Sequence, residues 1–363
     1  MSAEAELRVV AAAARAGIDA GALVRRAGGA SRLLTASAAR LDALGALPGL
    51  VAELKAARRL DVAEFTGELA ARGIVCVARS DRAYPAPLRE LHDPPLAIFA
   101  AGAAAGPPPQ VPGRALAIVG ARRAAAPALA LARRLAAFAA SSGVCVVSGL
   151  ALGVDAAGHQ GALDVGGATI AVLGCGPDVA YPRTNSGIHR RIIETGVVLS
   201  EYPPGTPPAP WRFPARNRLI AALAGAVLVV EARARSGALI TADHALDLGR
   251  DVLAVPGWAG SPAAAGTNGL LKAGAGMVED EDDLAAWLGL DPPSQAPPPA
   301  ADAALIEAAA CGPAHVEELA ERLGAPASEL AASLSRLELD GWIGRDEAGR
   351  YLALRGSGPP GRG

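Results

Sequence analysis

From residue 115 to residue 257 the chain repeats one pattern. A short, unbroken apolar run ends in glycine or a polar residue, and a longer stretch of helical character comes after it. The runs are ALAIVG (115–120), VCVVSG (144–149), ATIAVLG (168–174), VVLSEY (197–202), AVLVVEA (226–232) and DVLAVPG (251–257). Continuous apolar runs of this length are buried on both faces, as in a parallel sheet. Between them lie helical stretches such as PALALARRLAAFAASSG and SGALITADHALDLG. The alternation, with right-handed crossovers, predicts an α/β fold: a Rossmann-like parallel-sheet sandwich.

The flanks have different patterns. ELRVVAAAARAG, GALVRRAG, SRLLTASAARLDAL and LVAELKAARRL read as short helices broken by glycine. They predict a SAM-like or helix-hairpin-helix module over 1–60. Residues 61–113 form a connecting extension with one helix, the strand GIVCVARSD and a Pro/Gly/Ala linker from 101. The Rossmann-like domain is expected over 114–290. DPPSQAPPPA (291–300) reads as a semi-rigid proline-rich linker. Three helical segments and a strand–turn–strand at 301–355, turning at Asp346–Gly349, predict a winged helix. Residues 356–363 are expected to form a disordered tail.

Composition refines this picture. The 363 residues are 51% hydrophobic but only 3% aromatic, so the core is built from small aliphatic side chains. The net charge of −2 excludes a uniformly basic nucleic-acid binder. Its distribution is uneven. Residues 111–275 hold 15 Arg/Lys against 9 Asp/Glu, net +6, and residues 301–355 hold 5 against 10, net −5. The four cysteines are scattered without metal spacing, as expected for free thiols in a reducing compartment. No signal pattern and no run long enough to span a bilayer is present, so a soluble, cytoplasmic protein without membrane contact, metal or cofactor is expected.

In an open α/β sheet, ligands bind beyond the carboxyl ends of the strands. Those ends here carry Gly120-Ala121-Arg122-Arg123, Ser148-Gly149 through Asp155, Gly174-Cys175-Gly176, and Glu231 through Ser236-Gly237. Glycine lets an anion approach the backbone, and the next helix offers free N–H groups. Side by side, these ends predict a phosphate-binding rim. Neither a Walker G-x-x-x-x-G-K-[ST] nor a dinucleotide G-x-G-x-x-G is present. Asp155 and His159 lie one helical turn apart, but helix capping and a local hydrogen bond account for them. Ser236 reads as a helix cap or a phosphate contact. No nucleophile–base pair emerges.

FPARNRLIAAL (213–223) places Arg216, Asn217 and Arg218 where an apolar helix begins. Cations at the positive end of a helix dipole are unfavourable unless an anion arrives. The rival reading pairs them inside the protein, with Glu201 or Glu231. Phe213, Trp211 and Tyr181 are the few candidates for base stacking.

SGLALGVDAAGHQGAL (148–163), TIAVLGCGPDVAYPRTN (169–185), LSEYPPGTPP (199–208), FPARNRLIAAL, VVEARARSGALITADHAL (229–246) and VLAVPG (252–257) occur in this order. Together they closely resemble the DNA-processing protein A (DprA/Smf) family over about residues 75–290. The resemblance implies binding rather than catalysis: protection of incoming single-stranded DNA during natural transformation, and help in loading the recombinase RecA. It implies a homodimer of the Rossmann-like domain, with DNA across the strand ends. On this resemblance Arg122 takes the position of the first-loop arginine. Ser148, Gly149, Phe213, Arg216, Asn217, Arg218, Ser236, Gly237 and Lys272 fall in matching segments, and Gly120 and Arg123 flank Arg122.

The chain also departs from the family pattern. The usual first loop, G-x-R-x-x-T-x-Y-G, runs here from Gly120 to Ala128 without its threonine, tyrosine and second glycine. The arginine of S-G-L-A-R-G is Leu152, and the asparagine-arginine of a late G-x-N-R segment is Asn268-Gly269. Binding is then expected to draw on Arg123, Arg233 and Arg235. The winged helix has an acidic 327–340 segment, unlike a duplex-reading helix, and reads as a protein-contact or regulatory module. Two alternatives remain. One is a nucleotide-binding or phosphoribohydrolase-like enzyme, for which the P-G-G-x-G-T-x-x-E stretch is missing; the other is a duplex-specific regulator using the winged helix.

Overall fold

The computed structural model describes residues 3–103, 114–291, 302–339, 342–346 and 349–353. The chain forms two compact units, Met1–Pro292 and Pro293–Gly363. Most of the two proline-rich linkers, the tip of the last hairpin and the tail fall outside the described residues.

The first unit opens with helices α1 (Ala3–Ala16), α2 (Gly21–Ala27), α3 (Ala30–Thr35), α4 (Ala38–Ala43), α5 (Pro48–Ala57) and α6 (Val62–Ala71). Their punctuation is local chemistry. Gly28 ends α2 in the left-handed conformation, Ser37 caps α4, proline begins α5, and Asp61 caps α6. Val9, Leu33, Leu41, Leu50 and Leu54 form their core. Helix α1 anchors the module to the sheet domain. Its buried Glu6 accepts hydrogen bonds from Ser80 N (2.8 Å) and Ser80 Oγ (2.7 Å).

Strand β1 (Ile74–Ala78), helix α7 (Ala86–Arg89) and strand β2 (Ala97–Ala101) lead into the alternating region. There the order is β3 (Ala115–Val119), α8 (Ala126–Ser141), β4 (Cys145–Ser148), α9 (Val154–Asp164), β5 (Thr169–Leu173), α10 (Ser186–Thr195) and β6 (Val197–Ser200). Then come α11 (Arg212–Leu223), β7 (Ala226–Val229), α12 (Gly237–Asp247), β8 (Asp251–Ala254), α13 (Ala265–Lys272), β9 (Gly276–Met277) and α14 (Glu281–Leu288). All nine strands make one sheet in the order β1-β2-β6-β5-β4-β3-β7-β8-β9. β3 through β9 pair in parallel, and β1 and β2 add an antiparallel edge.

Both faces of the sheet are covered. Ala115, Ala117 and Val119 of β3 pack with Leu219–Leu223 of α11 and with Ala238, Ala242 and Ala245 of α12. Leu116 and Ile118 pack with α8 and α9. Small residues allow close approach: a Cβ on Gly161 of α9 would come within 2.1 Å of the Arg133 carbonyl of α8. The chain winds outward from β3 through β4, β5 and β6, then returns to β7 on the other side. The β3/β7 boundary is therefore the topological switch point, where such sheets bind ligands.

The second unit contains α15 (Ala303–Ala310), α16 (Val316–Leu323), α17 (Ala327–Leu339) and the hairpin β10 (Ile343–Arg345)–β11 (Tyr351–Ala353). Leu305, Ile306, Leu319, Leu334, Leu337, Ile343 and Tyr351 close its core. This is the three-helix and hairpin pattern of a winged helix.

Candidate nucleic-acid interface

The switch point brings the loops after β3 and β7 together. Ala121 N donates to Glu231 O (2.7 Å), Val154 N to Ala121 O (3.2 Å), and Ala125 N to the Glu231 carboxylate (3.2 Å). Glu231 thus fixes the first loop at two points. The glycines here make close internal contacts. A Cβ on Gly120 would sit 2.7 Å from Val154 Cγ2. Gly153, at φ +78°, lies where a Cβ would meet the Ala121 carbonyl at 2.2 Å.

This clamp presents Arg122 and Arg123 to solvent, and the β7 loop presents Arg233 and Arg235. None of the four makes an ion pair among the described residues. The Arg122 guanidinium lies over the Phe213 ring, 5.6 Å from its centroid, and Phe213 stacks on Tyr181 at 5.4 Å and 23°. Gly174 makes room for that ring, since a Cβ there would meet Phe213 Cδ1 at 3.1 Å. A cation and two aromatic faces therefore form a ladder beside the switch point.

FPARNR does something other than wait for an anion. Helix α11 begins at Arg212, so Arg216 lies in its second turn and is only 3% exposed. Its guanidinium donates to Gly149 O (2.8 Å) and to Val172 O. Asp155, buried nearby, accepts from Gly149 N (3.1 Å) and Ala151 N (3.3 Å), so it braces the preceding loop rather than capping its own helix. Burial pushes the Asp155 carboxyl up, against the pull of Arg216. Burial likewise pushes the Arg216 pKa down, against the pull of Asp155.

Arg218 bears out the pairing alternative. It meets Glu201 through two hydrogen bonds (2.7 and 3.0 Å) and Asp93 through a third (3.1 Å). Burial opposes its charge, but the Glu201 and Asp93 carboxylates together outweigh that and raise its pKa. Asn217 donates to Gly237 O (3.1 Å) and ties α11 to α12. In physical terms, an arginine on the buried side of a helix must find acceptors indoors: Arg218 does, and Arg216 does through one terminal nitrogen while its Nε has no partner among the described residues.

Other expected rim residues are also internal. Ser148 is fully buried and donates to Ile118 O (2.6 Å). Gly149 has both backbone groups engaged, and a Cβ there would strike the Arg216 guanidinium at 2.5 Å. Ser236 caps α12 by accepting from Ala238 N, with exposed Gly237 beside it. Lys272 ends α13 as that helix runs back toward the start of β9, away from the carboxyl ends of the strands. His159 Nδ1 bonds Thr169 Oγ1 (2.7 Å), whose hydroxyl donates to Val146 O (2.8 Å). Leu150 adopts a left-handed φ of +55°, held by Asn185 Nδ2 donating to its carbonyl (3.0 Å).

Two rim residues escape the sequence reading. Trp258, in the loop after β8, is 84% exposed. Its loop is pinned by the paired bonds between Gly257 and the Asn268 amide (3.1 and 3.0 Å). Arg183, exposed and without an ion pair among the described residues, comes directly after the Tyr181-Pro182 bond. The signal for both was their place in strand-end loops. Leu152, where the family pattern has arginine, is 41% exposed.

A model of the DNA recombination-mediator protein A family matches residues 75–289. This chain belongs to that family. The DprA winged helix domain matches residues 290–349. The putative DNA processing protein DprA of Mycobacterium tuberculosis is 48% identical over 195 residues, 54% of this chain and 50% of that protein. The Escherichia coli protein Smf is 40% identical over 230 residues, 60% and 61% respectively. The matched segment thus spans half to three-fifths of the length of these relatives. Among solved structures, DNA processing protein A from Streptococcus pneumoniae superposes with a TM-score of 0.64 at 29% identity, covering 79% of this chain and 98% of that one. DNA processing protein A from Helicobacter pylori, described for its single-stranded DNA binding mode, gives 0.50 at 29% identity, covering 57% and 91%. In this DprA-family chain no helix among the described residues is long and apolar enough to cross a membrane.

Proposed function

We propose that this protein binds single-stranded DNA across the β3/β7 switch point and passes the strand to RecA, without catalysis. The observation that carries this reading is the rim itself. Arg122, Arg123, Arg233 and Arg235 are exposed and unneutralised among the described residues, and Arg122 stacks on the Phe213–Tyr181 pair. Free guanidinium groups contact phosphates, and aromatic faces accept unstacked bases of any sequence. The Helicobacter relative, named for single-stranded DNA binding, supports the same ligand. Ser236 and Gly237 are secondary contacts in this reading, and Lys272 lies off the rim; Gly120, Ser148, Gly149, Arg216, Asn217 and Arg218 hold the rim in shape. A homodimer belongs to the proposal as well. Half-exposed Met277 on β9, the last strand of the sheet, and Trp287 of α14, which bonds its carbonyl, support it.

The test is binding to fluorescent oligo-dT and to the matching duplex across a salt series. Single strands should bind more tightly, with affinity falling steeply as salt rises. Arg122→Ala should weaken oligo-dT binding about tenfold and lower the salt slope by about one. Equal, salt-insensitive binding to both forms would overturn the proposal.

A further inference from the structure

A second recess lies between the N-terminal helices and the sheet domain, away from the switch point. Its volume is about 530 Å³. Cavities of roughly 300–1,000 Å³ at such junctions take small molecules. One wall is aromatic. Tyr202 and Trp211 meet edge to face at 6.2 Å and 86°, and Arg212 lies over both rings, 4.6 and 5.0 Å from their centroids. Trp211 is 59% exposed and offers area for a further ring.

The polar groups here are not all satisfied. Arg218 lines the recess but is neutralised by Glu201 and Asp93. Arg212 is not: it donates to the Pro207 carbonyl, and its Nε is buried with no partner among the described residues. Arg25, also on the wall, is exposed, and its side chain makes no hydrogen bond or ion pair among the described residues. A buried donor without an acceptor is costly unless a ligand or water meets it. The recess thus pairs an aromatic platform with two under-used guanidinium groups.

We infer that this recess binds a nucleoside monophosphate, its base against Trp211 and its phosphate between Arg212 and Arg25. The ring supplies the planar face, and the phosphate supplies acceptors to the guanidinium groups that line the recess. Asp19, also on the wall, offers a carboxylate to sugar hydroxyls. The site is independent of the rim but borders it in sequence: Trp211 and Arg212 face the recess, and Phe213, the next residue, stacks under Arg122. The same chemistry is carried by a free nucleotide and by the 5′-phosphorylated end of a strand.

The experiment titrates the full chain with AMP, following tryptophan emission and heat. Saturable binding is expected. Arg25→Ala should weaken it about tenfold or more. Trp211→Phe should keep the affinity and lose the emission change, since the ring is retained but the reporter is gone. Arg122→Ala, which removes a rim cation, should leave AMP binding unchanged. A parallel arm compares oligo-dT with 5′-phosphate and 5′-hydroxyl ends. A phosphate advantage lost in Arg25→Ala assigns the recess to strand ends; AMP saturation without that advantage assigns it to free nucleotide. No AMP saturation at millimolar concentration together with no phosphate advantage overturns the inference. So does AMP binding that Arg122→Ala abolishes and Arg25→Ala leaves intact. If oligo-dT fails to bind while Arg25-dependent AMP binding holds, the rim proposal falls and this one stands.

Discussion

Arg216 keeps its charge inside the protein, between the Gly149 and Val172 carbonyls and near Asp155. A buried charge held by two carbonyls is tolerated even though its Nε has no partner among the described residues, but removing it strands the groups around it. Arg216→Ala should therefore cost about 3–5 kcal/mol of stability, read by denaturant unfolding. A variant with normal stability and impaired DNA binding would put Arg216 back on the rim. His159, one turn beyond Asp155, makes a pH-dependent contribution. Burial, then the nearby Arg216 charge, push its pKa from 6.5 down to about 3. A histidine lowered in the fold contributes stability that is present above its unfolded pKa and lost as pH falls from 6.5 toward about 3. Asp155 and Glu201 have the opposite sign, because burial raises both and acidification relieves them. Comparing unfolding of the wild type and His159→Asn between pH 6.5 and about 5 isolates the histidine, because asparagine can keep the bond to Thr169. The wild type should lose stability faster by up to roughly 1.4 kcal/mol per pH unit. Parallel curves would mean that His159 titrates in the folded state as it does in the unfolded one.

At the scale of elements, much of the fold is legible in the sequence, because a strand buried on both faces leaves an unbroken apolar run and a helix start leaves a cap. All six runs between 115 and 257 are strands, and their order and parallel sense agree with the alternation. The antiparallel edge is less legible. β2 lies within a proline-containing stretch, and nothing local says that it pairs with β6. β9 is two residues long, below what a pattern can mark. The site was legible in part for a related reason. Sequence shows which residues sit at strand ends but not which way they point. Arg122, Phe213 and Tyr181 turn outward and form the ladder. Arg216 and Ser148, equally polar and equally near, turn inward to carbonyls 44 and 30 positions away. Glycine was ambiguous too. At Gly149 and Gly153 the missing Cβ makes room for a guanidinium and for a neighbouring loop.

For the whole molecule, the question is whether the acidic C-terminal unit shares the DNA. Its arginines among the described residues are already engaged. Arg336 pairs with Asp302 (2.6 Å), Arg345 with Glu338 (3.3 Å) and Arg350 with Asp346 (2.7 Å), and Arg322 donates to Ala308 O (2.9 Å). A winged helix that reads duplex DNA needs free cations on its recognition helix and wing. Here α17 begins with Glu329 in its first turn, and its last-turn Arg336 is the one held by Asp302. The four rim arginines all belong to the first unit, which has its own cores. A chain ending at residue 291 should therefore fold and bind oligo-dT within about threefold of the full-length affinity at physiological salt, where surface charges are screened beyond roughly 8 Å. Its salt slope should be unchanged, because the number of phosphates neutralised is the same. A loss of tenfold or more (about 1.4 kcal/mol) with a shallower slope would mean that the second unit contacts phosphates. Unchanged DNA binding combined with loss of RecA-stimulating activity would instead make the acidic unit the protein-facing part of the molecule, in keeping with its charge.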